Sequence, residues 1–236
     1  GNAEYTVVKN TLAAIAAQTG RQFHHVTADA TGTSYNPLAG LTADEMSDAL
    51  YETLFAADKN VNLHYATLSR RLLQQACRVC VDLADARVAR VGGGTWTISL
   101  DDVADLLNLD TLRSVNPYLS PSVAASLTRY LGDLDASKNE GDVGDVRDRV
   151  AVIVDTAAGR ALDATGFQLE QAIRAGDIVC FSLDAAGAPQ TARTIGTLAV
   201  QDLCAAFGRL ARDEWGKTHM CLTVLDEFSA LGTPGR

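Results

Sequence analysis

Two continuous apolar runs constrain the fold of this chain more than any other feature. They occupy residues 177–183 and 219–225, and a long helical pattern that opens at Pro189 separates them. Unbroken apolar runs of this length are typical of strands that are buried on both faces of a parallel sheet. Strand, helix and strand in this order form a right-handed crossover. The sequence therefore predicts that both runs belong to one parallel sheet.

An earlier α/β step and a long helical stretch precede these runs. Apolar residues at helical spacing between positions 6 and 18 predict a helix that ends at Gly20, and residues 21–27 have the pattern of a short strand. Helical periodicity then fills residues 42–175, beginning with Thr42 and Glu45 as a capping box. The predicted fold class is α/β, mostly helical overall, with a parallel sheet interrupted by a large inserted all-α domain.

These patterns divide the chain into three segments. Residues 4–41 are the first part of the α/β domain, residues 42–175 are the all-α insert, and residues 176–236 are the second part of the α/β domain. The opening Gly1-Asn2-Ala3 resembles a cloning remnant, the chain then begins in mid-pattern, and it stops at Arg236 without a tail. We therefore expect it to be a fragment of a longer protein. No apolar stretch reaches the length of a membrane-spanning helix.

The charge of the chain excludes a surface that is basic throughout. Twenty basic residues oppose 29 acidic ones, which gives a formal net charge of −9. A protein that grips nucleic acid over its whole surface would be basic. One local basic cluster lies in the helical pattern between residues 62 and 90. Its members are Arg70, Arg71, Arg78, Arg87 and Arg90, and the first four are the candidate contact residues.

Two interpretations of this arginine cluster remain open. A solvated helix face with ion pairs is the favoured one. The alternative is a contact for a DNA backbone or a partner protein. Tyr65 is the one aromatic residue interspersed with the cluster, which argues against a stacking site for single strands. The only close pair of cysteines, Cys77 and Cys80, lies inside the same helical pattern and is interpreted as buried cysteine rather than as a metal or redox site.

The run at 219–225 ends in two consecutive carboxylates. Leu-Thr-Val-Leu-Asp-Glu at positions 222–227 has the pattern of a Walker B strand. In nucleotide-hydrolysing sheets the first acid, here Asp226, holds Mg²⁺ through water, and the second, here Glu227, orients and polarises the attacking water. The alternative is a strand that merely ends in a polar turn. The companion phosphate loop, Gly-x-x-x-x-Gly-Lys-Ser/Thr, does not occur in the chain.

Several of these stretches together resemble a known family. They are Tyr-Asn-Pro-Leu at 35–38, the helical insert, the run at 178–183, Ala-Val-Gln-Asp-Leu at 199–203 and Val-Leu-Asp-Glu-Phe-Ser-Ala-Leu-Gly at 224–232. In this order they resemble the TraG/TraD-type coupling proteins of conjugative type IV secretion. These proteins belong to the FtsK/HerA-like branch of RecA-type motor ATPases. The resemblance implies that the interrupted sheet is a partial RecA-like domain.

The resemblance also implies a function for the parent protein. The parent would be a homo-hexameric ATPase that uses ATP and Mg²⁺ and is anchored at the cytoplasmic face of the bacterial inner membrane. It would hand a DNA strand bound to a relaxase to the secretion channel, and the all-α insert would recognise DNA or relaxosome proteins. The present chain lacks the phosphate loop and the membrane anchor of the family. We therefore expect it to be cytoplasmic, to bind no nucleotide and no membrane, and to bind DNA weakly.

Two other functions remain open. The first is an FtsK/HerA-like DNA-translocating ATPase of another process, such as chromosome translocation or DNA repair. The second is a non-catalytic helical adapter in which Asp226 and Glu227 are only the polar end of a strand.

Overall fold

The computed structural model describes residues 2–55, 62–93, 96–137 and 140–226, and the chain forms two compact units. Unit 1 combines residues 1–37 with residues 155–236, and unit 2 comprises residues 38–154. The chain thus leaves unit 1 after Pro37, passes through unit 2 and re-enters unit 1 at Asp155. The sequence pattern placed the end of the helical insert at Ala175, whereas the second boundary of the units lies at 154/155.

The described part of the chain is mostly helical, with two short strands. In chain order, the elements are α1 (Asn2–Thr19), β1 (Phe23–Thr27), α2 (Ala43–Phe55), α3 (Leu63–Val91), α4 (Leu100–Leu106), α5 (Leu109–Ser114), a 3₁₀ turn (Asn116–Tyr118), α6 (Pro121–Ser137), a 3₁₀ turn (Glu140–Val143), α7 (Gly144–Val154), α8 (Ala157–Ala161), α9 (Leu169–Ala175), β2 (Ile178–Ser182), α10 (Pro189–Leu210) and α11 (Glu214–Thr218). In this described part, no helix is both long and apolar enough to cross a membrane.

Unit 1 is built on a parallel pair of strands. β1 and β2 pair in register from Phe23 opposite Ile178 to Thr27 opposite Ser182. The predicted parallel pairing of these two segments is therefore confirmed. Helix α1 packs on one face of the pair, and α10 packs beside α8 and α9. The strands pair although the whole of unit 2 lies between them in sequence.

The prediction of a third buried strand at 219–225 is wrong for this structure. The segment forms no strand and is exposed to solvent; Met220, Leu222 and Val224 expose 96%, 86% and 78% of their surface. An apolar run becomes a buried strand only where neighbouring strands and covering helices meet it, and β1 and β2 are the only paired strands among the described residues. Of the predicted RecA-like sheet, the described residues form only two parallel strands.

Unit 2 is a helical unit with an apolar core of its own. Its fully buried side chains include Leu50 of α2, Leu72 and Leu73 of α3, and Leu127 of α6. The predicted capping box at the start of α2 is present, because the Thr42 amide donates to Glu45 Oε2 at 2.9 Å and the Glu45 amide donates to Thr42 Oγ1 at 3.3 Å.

The two cysteines of α3 are buried side chains of this core. Cys77 is fully buried and Cys80 is 5% exposed. Burial raises the pKa of the Cys77 thiol to about 12, and burial also raises the pKa of Cys80. Thiols held this firmly in the neutral form are poor nucleophiles and poor metal ligands. Their interpretation as buried helix cysteines is confirmed.

Candidate functional site

The two carboxylates of the predicted Walker B motif lie at the end of the described chain. Asp226 is exposed and follows residues 219–225, which form neither helix nor strand. Glu227 lies outside the described residues. Their roles in binding Mg²⁺ and in activating water therefore stay predictions. No group of three or more His, Cys, Asp and Glu side chains that could hold a metal ion occurs within residues 2–226 as far as the structure describes them.

Three of the four arginines singled out on α3 form ion pairs within unit 2. Arg70 lies 2.6 Å from Asp48, Arg71 lies 3.1 Å from Asp133, and Arg78 lies 3.6 Å from Asp44. The basic charge of this helix face is thus partly matched by acidic neighbours. These pairs favour the solvated-face interpretation, and each exposed pair contributes little to stability.

The fourth arginine of the cluster stacks on an aromatic ring that the sequence did not assign to it. The guanidinium carbon of Arg87 lies 3.6 Å from the centroid of the Trp96 ring, and both residues are exposed. This distance is typical of a cation–π contact. The two residues are nine positions apart, with the glycines that follow α3 between them, so helical spacing could not pair them. The stacked pair of Arg87 and Trp96 presents a positive charge and an aromatic ring to solvent.

A buried hydrogen bond joins two of the stretches that carry the family resemblance. The Tyr35 hydroxyl donates to Asp202 Oδ2 at 2.6 Å. Tyr35 is fully buried and Asp202 is 2% exposed. Burial, followed by the neighbouring Asp202 carboxylate, raises the pKa of Tyr35 well above its ordinary value. The Tyr-Asn-Pro-Leu stretch is thus fixed to the middle of α10, a contact that sequence spacing could not reveal.

Backbone hydrogen bonds tie the chain segment that leaves unit 1 to the segment that returns. The Phe167 amide donates to the Ser34 carbonyl, and the Asn36 amide donates to the Phe167 carbonyl, each at 3.0 Å. The Tyr35 amide also donates to the Ala161 carbonyl at 2.9 Å. This short ladder between residues 34–36 and residues 161–167 holds the two ends of the insertion together within unit 1.

Aromatic rings surround Tyr35 on this side of the strand pair. The rings of Phe167 and Phe181 each lie 5.2 Å from the Tyr35 ring, centroid to centroid. His24 of β1 stacks on Phe167 at 4.3 Å, and its Nε2 lies 2.9 Å from Asp177 Oδ2. The outgoing segment, the returning segment and both strands therefore share one packed cluster.

The opposite face of the strand pair carries a polar cluster under α1. The Tyr5 hydroxyl lies 2.5 Å from His25 Nε2, and Ser182 Oγ lies 3.0 Å from the same nitrogen. Burial lowers the pKa of His25 below its usual value of 6.5; the charge of Lys9 lowers it further, and Asp29 opposes the shift. The fold therefore favours the neutral imidazole at this position.

The lowered pKa of His25 predicts a pH dependence of stability. A histidine whose pKa is lower in the folded state contributes stability that is fully present above about pH 6.5 and is lost as the pH falls through the folded value. We expect the urea midpoint of the chain to fall with pH in this window, and to fall less in a His25→Gln variant. Equal pH slopes for the two proteins in urea titrations would contradict this role of His25.

Comparisons with known proteins identify no relative of this chain. No protein-family model, no curated protein and no solved structure matches it.

Proposed function

We propose that this chain is the central part of a conjugative DNA-transfer coupling ATPase, a TraG/TraD-type motor of the FtsK/HerA-like branch. The observation that carries the proposal is the buried contact between Tyr35 and Asp202. These residues belong to two separate stretches of the resemblance, Tyr-Asn-Pro-Leu and Val-Gln-Asp-Leu. The resemblance implies a parallel sheet interrupted by a helical insert, and the contact joins these two stretches beside a parallel strand pair of that kind.

Each segment has a role in this proposal. In the longer parent, Asp226 would hold Mg²⁺ and Glu227 would polarise the water that attacks ATP, with a phosphate loop supplied from outside this chain. Unit 2 recognises relaxosome proteins or DNA. The parent works as a homo-hexamer at the cytoplasmic face of the bacterial inner membrane and delivers DNA bound to a relaxase to a type IV secretion channel.

A non-catalytic helical adapter is the second candidate function. The exposure of residues 219–225 favours it, because a Walker B pair acts from the end of a buried strand and this segment is not one in the structure. The presence or absence of a phosphate loop in the parent reading frame separates the two candidates. A relaxase gene beside the parent gene would separate conjugation from another process that uses the same motor branch.

The proposal is tested by ATP hydrolysis with two proteins. The longer parent is expected to hydrolyse Mg²⁺-ATP, whereas the present chain is expected to show no hydrolysis above background because nothing positions the β- and γ-phosphates. A parent protein without Mg²⁺-dependent hydrolysis would refute the ATPase assignment and leave the adapter.

The charge of the chain predicts weak binding to DNA. With a net charge of −9 and three of the α3 arginines paired to carboxylates, we expect dissociation constants no tighter than about 10⁻⁴–10⁻⁶ M at physiological salt. A fluorescence-anisotropy titration at several salt concentrations measures this. Tight binding that does not weaken with salt would contradict the charge argument and would indicate stacking or base contacts, for which Arg87 and Trp96 are the first residues to replace.

A further inference from the structure

Four segments of unit 1 meet at one fully buried side chain. Tyr35 lies in the segment that leads out to residue 37, its hydroxyl donates to Asp202 on α10, and its amide donates to Ala161 on the returning segment. Its ring contacts Phe167 on the returning segment and Phe181 on β2. The chain ends that lead into and out of unit 2 are therefore fixed to the same helix through one residue.

The hydrogen bond between Tyr35 and Asp202 lies among apolar side chains, so it is either fully formed or fully broken. Both residues are excluded from water. If the hydrogen bond breaks, no water replaces the contact between the buried hydroxyl and the buried carboxylate. A hydrogen bond to a charged group is also stronger than one between neutral groups. Intermediate geometries are therefore unfavourable.

The close backbone packing at Gly166 makes the outgoing and returning segments move together. A side chain at position 166 would lie 2.5 Å from the Tyr35 amide nitrogen, so the two backbones are in direct contact there. The ladder hydrogen bonds of Ser34 and Asn36 to Phe167 lie immediately beside this contact. A displacement of either segment must move the other, and with it Tyr35.

We propose that Tyr35 and Asp202 form a latch that couples the two chain segments bordering unit 2 to helix α10. While this hydrogen bond is formed, residues 34–36, residues 161–167 and the middle of α10 unfold locally as one cooperative unit. Breaking the hydrogen bond weakens the attachment of the two segments to α10, although α10 still packs beside α8. The chain continues from α10 through α11 to Asp226, so, given the proposed function, the latch links the segments that border the inserted unit to the helix that precedes the predicted catalytic carboxylates.

Hydrogen exchange measured on the present chain by mass spectrometry tests the latch. Tyr35→Phe removes the hydroxyl and keeps the ring. We expect exchange to become faster by about tenfold or more, and together, in peptides covering residues 34–37, residues 161–167 and residues 198–206. Tyr130→Phe is the matched control, because Tyr130 is a buried tyrosine of unit 2 whose hydroxyl has no hydrogen-bond partner in the described part of the chain. It is expected to change none of these peptides.

The outcomes separate a latch from a merely packed tyrosine. Faster exchange in residues 34–37 alone, with α10 unchanged, overturns the coupling, and so does unchanged exchange in all three peptides. If Tyr35→Phe does not fold, Asp202→Asn replaces it, because the amide keeps an acceptor for Tyr35 but loses the charge. The same three peptides are then expected to change together by a smaller factor, and a change confined to one of them overturns the latch.

This measurement needs no nucleotide, so its result is independent of the ATPase assignment. A parent protein that hydrolyses no ATP refutes the proposed function and leaves the exchange result as it stands.

Discussion

A parent protein that carries Glu227→Gln is expected to keep its affinity for ATP and to lose hydrolysis by about 10²–10⁴-fold. The amide has the size of the carboxylate but cannot accept a proton from the attacking water. The retained Asp226 would still hold Mg²⁺, so nucleotide binding should survive. A loss of turnover without a loss of binding is the kinetic signature of a group that acts on the reacting water.

The experiment combines nucleotide binding with steady-state hydrolysis. Glu214→Gln is the matched control, because Glu214 is an exposed residue of α11 that undergoes the same chemical change. We expect this control to hydrolyse ATP at the rate of the unmodified parent. Normal turnover in Glu227→Gln would remove Glu227 from the catalytic role and would favour the adapter function.

Gly166→Ala is expected to destabilise unit 1 strongly. The added carbon would lie 2.5 Å from the Tyr35 amide nitrogen and 2.6 Å from the Tyr35 carbonyl carbon, and both are backbone atoms that cannot rotate away. Overpacking in a rigid site usually costs about 1–3 kcal/mol. The displaced backbone also forms the ladder hydrogen bonds and positions the Tyr35 hydroxyl. We therefore expect the free energy of unfolding to fall by an amount at the upper end of this range or above it.

Urea unfolding of two glycine variants measures this effect. Gly208→Ala serves as the control, since a carbon added there meets no atom within 4 Å. Gly208 lies inside α10, where alanine is favoured over glycine by about 1 kcal/mol, so this variant should be as stable as the unmodified chain or more stable. Equal stabilities of Gly166→Ala and the unmodified chain would show that the two segments are not held in contact.

Local patterns were sufficient for the strand pair and for the helix starts. The continuous apolar run at 177–183 and the short run at 21–27 indicated strands, and both are present as β1 and β2. Thr42 with Glu45 forms the expected capping box, and Ser99 with Asp102 forms another at the start of α4. These signals are local, because a cap or an apolar face depends on residues a few positions apart.

Residues 219–225 show where local pattern is insufficient. Their composition is that of a buried strand, yet burial requires partners that this stretch does not itself encode. In the structure its apolar side chains face solvent. A strand prediction from an apolar run therefore depends on which neighbouring elements are present.

The Tyr35 latch was outside the reach of sequence analysis for a different reason. Tyr35 and Asp202 are 167 positions apart, and no periodicity connects them. The ion pairs of α3 have the same origin, since Asp48 and Asp133 lie on other helices. The sequence alone shows that these side chains carry a charge or a hydroxyl, whereas only the tertiary structure shows which residues they contact.

The backbone ladder between residues 34–36 and Phe167 has a consequence for how such a chain can diversify. The entropy of closing a loop grows only with the logarithm of its length, so doubling a loop costs about 0.6 kcal/mol. Because the ladder fixes both ends within unit 1, the stretch between them can gain or lose whole helices while β1, β2 and α10 keep their contacts. We therefore expect differences in length among homologous chains to concentrate in residues 38–154.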